Sequence, residues 1–88
     1  MKKPKQLERY FKGASNHRRI NIIIFVHDNP GITLEGITKK VNGNFKTISE
    51  HTRKLVQAGL LNKKYVGHMV AHSLSPYGQK FYKFINTF

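Results

Sequence analysis

Apolar residues recur at helical spacing in the first half of the chain. A first helix is predicted where Leu7, Tyr10, Phe11 and Ala14 lie at i, i+3, i+4 and i+7, with Gly13 at its end. The preceding residues 1–6 are polar and rich in lysine, so we expect a flexible basic arm that has nothing to bury. The folded domain is then expected to span residues 7–88.

A second helix is predicted from a cap at Ser15 or Asn16 to about Asp28, where an Asn-Pro-Gly sequence stops it. Its apolar residues lie on two sides of the helix, which is typical of a helix that neighbours cover on both sides. The isoleucine-rich stretch is also far shorter than the roughly 18 residues of a membrane span.

Two further helices are predicted, with Thr33 and Asn44 placed to cap them and Asn42-Gly43 between them. Gly59 ends the second of the pair. A short glycine-containing connection between two such helices predicts a helix-turn-helix over residues 33–58. The apolar stripe of the second helix consists of Ile48, Thr52 and Leu55, with Phe45 and Val56 at its edge.

The pattern changes to that of strands after this pair of helices. Residues 60–74 read as two strands that flank Gly67-His68, and a glycine in the first position of a two-residue loop favours a type II′ hairpin turn. Ser75 and Pro76 are then suited to cap and open a last helix over residues 76–88. The predicted fold is mainly α with a small β-hairpin wing, the order of elements in a winged helix-turn-helix.

From Ile32 to Leu74 the chain resembles ArsR-like winged-helix transcriptional regulators. Lys46-Thr47-Ile48-Ser49-Glu50-His51, followed by Leu55-Val56-Gln57-Ala58-Gly59-Leu60-Leu61, is similar to that family's recognition helix and the "AGL" exit into the wing. Leu74-Ser75-Pro76-Tyr77-Gly78 resembles the "LTPxG" that closes the wing in MarR-like relatives. The resemblance covers about half of the chain and implies a transcriptional regulator that binds double-stranded DNA.

Two departures from the family pattern change what the resemblance implies. The metal-sensing members use cysteine or histidine and aspartate clusters, whereas this chain has no cysteine, which argues against an arsenic or cadmium sensor. Members often carry arginine where this chain has Glu50, so the family's base preference does not transfer.

The charge of the chain points to a polyanionic partner. Sixteen Lys and Arg residues against four Asp and Glu give a net charge of +12 among 88 residues. Nucleic acid is the first candidate, an anionic membrane surface the second and an acidic protein the third. We expect a soluble protein of the prokaryotic or archaeal cytoplasm, associated with the nucleoid.

Polar side chains gather on the side of the fourth helix opposite its apolar stripe, where they would face a DNA groove. The wing and the end of the third helix add cations that suit phosphate contacts. An ordinary solvated surface is the alternative for each of these residues. The candidate DNA-binding residues are Lys39, Lys40, Lys46, Thr47, Ser49, Glu50, Arg53, Lys54, Lys63, Lys64 and His68, with Arg18 and Arg19 as further phosphate clamps.

Aromatic and aliphatic residues line one face of each terminal helix. Stacking on unpaired bases is one use for them, but their regular spacing favours the core or a dimer interface. A two-fold dimer would place two recognition helices about 34 Å apart, one turn of B-DNA. The candidate dimerisation residues are Leu7, Tyr10, Phe11, Phe81, Phe84, Ile85 and Phe88.

The sequence offers little for catalysis or for a metal. Its four carboxylates lie on different predicted elements, and it has neither a nucleophile elbow nor a glycine-rich phosphate loop. His68 and His72 are close on the hairpin, but the histidines lack zinc-site spacing. We therefore expect no enzyme activity, no cofactor and no metal.

Sequence-specific regulation of transcription is the favoured hypothesis, and two others remain open. Winged helices also serve as protein-interaction adaptors, in which case the basic surface meets an acidic partner. A sequence-independent nucleic-acid binder, either chromatin-like or RNA-binding, fits the same charge.

Overall fold

Five helices and three short strands follow one another along the chain, and the computed structural model describes residues 1–88. The antiparallel sheet has the strand order β1-β3-β2, so that β2 lies at an edge. This architecture confirms the predicted mainly α fold with a β-hairpin wing. The elements are α1 (Pro4–Ala14), α2 (His17–Asp28), β1 (Ile32–Thr33), α3 (Leu34–Val41), α4 (Phe45–Gln57), β2 (Leu61–Val66), β3 (Met69–Leu74) and α5 (Pro76–Ile85).

Local signals set most of the helix ends. Asn16, Thr33, Asn44 and Ser75 each accept a hydrogen bond from a backbone amide in the first turn of the following helix, at 2.9 to 3.2 Å. Each therefore satisfies an amide that has no partner inside its helix. The turn between α3 and α4 passes through Asn42, which has the left-handed φ of 50° that commonly ends a helix.

The first helix begins earlier than the sequence predicts. Pro4 occupies the first helical position, where its missing N–H is no loss and its fixed φ suits the helix. The Gln6 side chain accepts a hydrogen bond from the Lys3 amide at 2.9 Å. Residues 4–6 therefore belong to α1, and the prediction of an arm over residues 1–6 was wrong for its second half.

The core is built around α2, whose Ile22, Ile23 and Val26 are almost fully buried. These three residues lie on one side of α2, whereas Ile20, Ile24 and Phe25 around the rest of the helix are half-buried, so the predicted burial on both sides is met only in part. Isoleucines and leucines from α3, α4 and the start of the hairpin complete the core, which includes Ile37, Ile48, Leu55, Leu60 and Leu61. Phe45, predicted at the edge of the apolar stripe, is 50% exposed at the start of α4 and does not join the core.

The wing is anchored to the core at one end only. Leu61 pairs with Leu74 near the core, and the register runs out to Val66 opposite Met69 beside the turn. Gly67 has a φ of 62°, while His68 keeps a negative φ, in agreement with a turn that needs glycine in its first position. Strand β1 was not predicted; it pairs with β3 through Ile32 opposite His72.

The last helix packs closely on the exit from α4. A Cβ on Gly78 would lie 2.1 Å from the Leu60 carbonyl oxygen, so only glycine fits this approach. Ser75 links the same two segments, because its hydroxyl donates to the Gly59 carbonyl at 2.6 Å. Helix α5 ends at Ile85 rather than at Phe88, which lies beyond the helix and is 93% exposed.

Candidate nucleic-acid interface

Helix α4 has one buried side and one polar, exposed side. Ile48, Thr52 and Leu55 hold it against the core, and the Thr52 hydroxyl donates to the Ile48 carbonyl at 2.8 Å. The opposite side is free for a partner because no other part of the chain covers it. It presents the exposed side chains of Lys46, Thr47, Glu50, Arg53, Lys54 and Gln57, with Ser49 half-buried beside them.

Glu50 and Arg53 form an ion pair on this exposed side. The Arg53 Nε donates to one Glu50 carboxylate oxygen at 3.1 Å, and an Nη donates to the other. These hydrogen bonds, together with the positive charges of Arg53, Lys54 and Arg19, lower the pKa of Glu50 below its ordinary value. Each of the two side chains therefore neutralises the charge of the other on the exposed side of α4.

An open groove of about 650 Å³ separates α4 from the wing. It brings Ser49, Arg53 and Gln57 of α4 together with Lys63 and His68 of the hairpin. Helix and wing thus share a continuous surface, which the sequence alone did not reveal. Of the other candidate residues, Lys39, Lys40, Lys46, Thr47, Glu50, Lys54 and Lys64 lie outside the groove lining.

The cations of α2 are partly used within the fold. The Arg19 Nε donates to His51 Nδ1 at 3.1 Å, and an Nη of Arg19 donates to the Gly13 carbonyl at 3.3 Å. Burial lowers the pKa of His51, and the charges of Arg19 and Arg18 lower it further. Both effects favour the neutral form of His51, and Arg19 connects α2 to α1 and α4 instead of standing free as a clamp.

The two histidines of the hairpin have different environments. His68 is exposed at the turn, whereas His72 is 5% exposed and its Nδ1 lies 3.3 Å from the Ile32 carbonyl oxygen. Burial lowers the pKa of His72, and the charge of Lys63 acts in the same direction. No group of three or more histidine or carboxylate side chains is placed to hold a metal ion.

The wing also exposes apolar side chains that sequence reasoning did not single out. Tyr65, Val66 and Met69, here called the wing-tip cluster, are 69%, 55% and 55% exposed. The Lys63 Nζ lies 5.7 Å from the centre of the Tyr65 ring. Three large apolar residues within five positions of a hairpin tip were the signal available in the sequence.

A second groove, of about 740 Å³, lies between α1 and α5 and is lined mostly by apolar side chains. Phe11 and Phe84 are more than half exposed there, and Phe11 contacts Phe81 edge to face at 5.2 Å. Tyr10 lines the same groove, but it is 6% exposed and packs at 4.7 Å on Tyr77, so most of its surface is already buried within the protomer. The predicted dimerisation residues Leu7 and Ile85 are half-buried.

Comparisons with known proteins agree on the fold. HlyU from Vibrio cholerae superimposes with a TM-score of 0.86 at 20% identity, covering 99% of this chain and 96% of that one. A homodimeric winged helix-turn-helix DNA-binding domain from Mycobacterium bovis, described as a possible ArsR-family transcriptional regulator, gives 0.85 at 19% identity, with 94% and 77% covered. A structure of MarR gives 0.79 at 14% identity, with 93% and 63% covered.

No family model and no curated protein sequence matches the chain. At identities of 14 to 20%, the structural likeness establishes the fold and not the partner. The chain is a winged helix-turn-helix protein, with the architecture found in HlyU, in an ArsR-like domain and in MarR. No helix is long and apolar enough to cross a membrane.

Proposed function

We propose that this chain is a homodimeric transcriptional regulator that binds double-stranded DNA sequence-specifically. Helix α4 enters the major groove, and the wing lies on the backbone or in the minor groove. A major groove about 12 Å wide admits one α-helix. The exposed side of α4 is polar and carries Lys46, Arg53 and Lys54 against Glu50. The similar fold of a homodimeric DNA-binding domain supports the same assignment.

The observation that carries the proposal is the groove shared by α4 and the wing. It joins a helix suited to reading base edges with a hairpin suited to phosphates, and Arg53 and Lys63 both line it. Glu35 is the single carboxylate of the groove lining, and from His51 to Phe88 the chain has no carboxylate side chain that would repel a polyanion. Such a surface fits the phosphate backbone of DNA.

Different residues of this surface carry affinity and sequence preference. Base contacts come from the first turns of α4, where donors meet guanine O6 and N7 and the Glu50 carboxylate accepts from cytosine N4. These base-reading residues are Lys46, Thr47, Ser49, Glu50 and Arg53. The phosphate-binding residues are Lys39, Lys40, Lys54, Lys63, Lys64 and His68.

Dimerisation covers the apolar groove between α1 and α5. Phe11, Tyr77 and Phe84 are the exposed aromatic residues of this groove, with Phe88 exposed beyond it, and a lone protomer leaves them in water. The protomer measures 38 × 26 × 21 Å, which suits a dimer whose α4 helices enter major grooves about 34 Å apart. Phe84→Lys should shift the protein to monomer in sedimentation equilibrium without changing its circular dichroism.

Selection of duplexes in vitro at near-physiological salt, followed by anisotropy titrations, tests the proposal. We expect a two-fold symmetric site and a slope of log K against log salt of about −5 to −9, as for six to ten phosphate contacts. A selected duplex should compete at least about a thousandfold better than random duplex or structured RNA.

The two open alternatives give different results in the same experiment. Equal competition by all nucleic acids would indicate a sequence-independent binder. No duplex binding at low salt, together with capture of one acidic protein, would indicate an adaptor. Arg53→Ala should reduce the preference for the selected site, whereas Lys64→Ala should weaken binding to all duplexes alike.

A further inference from the structure

The wing-tip cluster leaves a large apolar surface in water. Beyond Leu61 every residue of β2 is exposed, and Val66 and Met69 face each other across the hairpin, so their side chains share one face. Tyr65 and Val70 form the next pair, on the other face of the hairpin. The tip therefore carries apolar groups on both faces.

Exposure of these apolar side chains to water is unfavourable for a protein that has no binding partner at the wing tip. Lys63 and Lys64 protect the edge strand β2 from pairing with other strands, but the tip itself stays apolar, and exposed apolar patches commonly mark binding sites. Shorter or more polar side chains would serve the hairpin turn equally well, because Val66 and Met69 contribute little to the core. A binding partner that covers the tip accounts for both observations.

The surroundings of the tip identify the kind of partner. Its only charged neighbours on the hairpin are Lys63 and Lys64, with His68 at the turn, and no carboxylate lies anywhere on the wing. Met69 and Tyr65 also line the groove that contains Arg53 of α4 and Lys63, against the single carboxylate of Glu35. The partner therefore combines negative charge with apolar atoms and extends from the wing to α4. A duplex does so, because one phosphate backbone separates the minor groove under the wing from the major groove that α4 enters.

We infer that Val66 and Met69 form an apolar wedge that the wing inserts into the minor groove of DNA, between two partly unstacked base pairs. Lys63 and Lys64 hold the flanking phosphates. Because pyrimidine-purine steps such as TA and CA open most easily, the protein prefers them at the position under the wing. This inference rests on the proposed function and adds a source of sequence preference that α4 does not touch.

The test compares a near-isosteric polar variant with a charge variant. Val66→Thr/Met69→Gln keeps the size and strand preference of both side chains but removes the apolar wedge. Its affinity for a selected duplex with TA under the wing should fall about tenfold, with an unchanged salt slope. Lys64→Ala, the control, should instead make the slope shallower by about 0.9.

Fluorescence of 2-aminopurine placed at the TA step reports unstacking directly. Wild type and Lys64→Ala should brighten it on binding, whereas Val66→Thr/Met69→Gln should not. Two results would reject the wedge but not the proposed function. Either the wild type binds the duplex without a change in 2-aminopurine fluorescence, or the double variant matches the wild type in both affinity and fluorescence. Failure of the wild type to bind any duplex would instead reject the proposed function.

A third possible result is that the wing tip binds a second copy of this chain instead of DNA. If light scattering shows that the double variant only loses association between copies, with DNA binding unchanged, then the tip is a protein contact and the wedge is rejected. Melting curves of the double variant should match the wild type, because both replaced side chains are more than half exposed.

Discussion

Neutralising Glu50 should make the protein bind DNA more tightly and less selectively. In the free protein, the Glu50 carboxylate accepts two hydrogen bonds from Arg53 and neutralises one positive charge on the outer side of α4. Glu50→Gln removes that charge and leaves the side-chain length unchanged. Arg53 is then free to contact a phosphate on any duplex, whatever its sequence.

The size of the effect follows from one added phosphate contact. Each contact steepens the salt slope by about 0.9, so at 0.1 M salt the affinity for random duplex should rise roughly eightfold. The affinity for the selected duplex should change less, because in that complex the wild-type Arg53 has already left Glu50 and contacts a base. The ratio of specific to random affinity should therefore fall by several-fold, as measured by anisotropy titrations at four or five salt concentrations.

Helix α1 supplies a matched control. Glu8 is also exposed and forms an ion pair on its own helix, with the Lys12 Nζ at 3.3 Å. It does not line the groove between α4 and the wing. Glu8→Gln makes the same change in net charge and, at protein concentrations where sedimentation equilibrium shows both variants to be dimeric, should leave both affinities near their wild-type values. Equal gains from the two variants, or no gain from Glu50→Gln, would refute the idea that Arg53 faces the DNA.

Three further predictions concern stability and assembly. Because burial lowers the pKa of His72, its neutral form favours folding. Its contribution is complete above about pH 6.5 and is lost as the pH falls below that value through the folded-state pKa. Thermal melts of His72→Gln should therefore depend less on pH between 7 and 5. Gly78→Ala should lower the free energy of unfolding in urea by about 2 kcal/mol, with the exposed Gln79→Ala near neutral. The dimer should tighten as salt rises, opposite to DNA binding, because like charges surround its proposed interface; sedimentation equilibrium measures this. Those cations are Lys2, Lys3, Lys5, Arg9, Lys12, Lys80 and Lys83, against Glu8 alone.

The elements that local chemistry determines were predictable from the sequence. Caps such as Asn44 and Ser75, the left-handed turn at Asn42 and the glycine of the wing turn all act within a few residues. Strand β1 escaped prediction because it is two residues long and exists only through pairing with β3, about forty positions later. The formation of β1 therefore depends on tertiary pairing and not on its local sequence.

The candidate site was predictable as a set of side chains but not as an arrangement. The polar side of α4 follows from helical periodicity, yet the groove shared with the wing depends on how the hairpin folds back. The Glu50–Arg53 pair has the i, i+3 spacing that permits contact, so the sequence did contain a signal for it. Tyr10 and Phe45 show the reverse case, because packing elsewhere in the fold decided their exposure.

DNA binding through α4 and the wing is tested most directly by a map of backbone amide shifts on addition of a selected duplex. In ¹⁵N-resolved NMR spectra, we expect the largest shifts on the outer side of α4, residues 46–57, and in the wing, residues 63–69, with smaller shifts at Lys39 and Lys40. Shifts concentrated on α1 and α5 while α4 stays unmoved would contradict it, because the DNA would then lie on the other face of the protein.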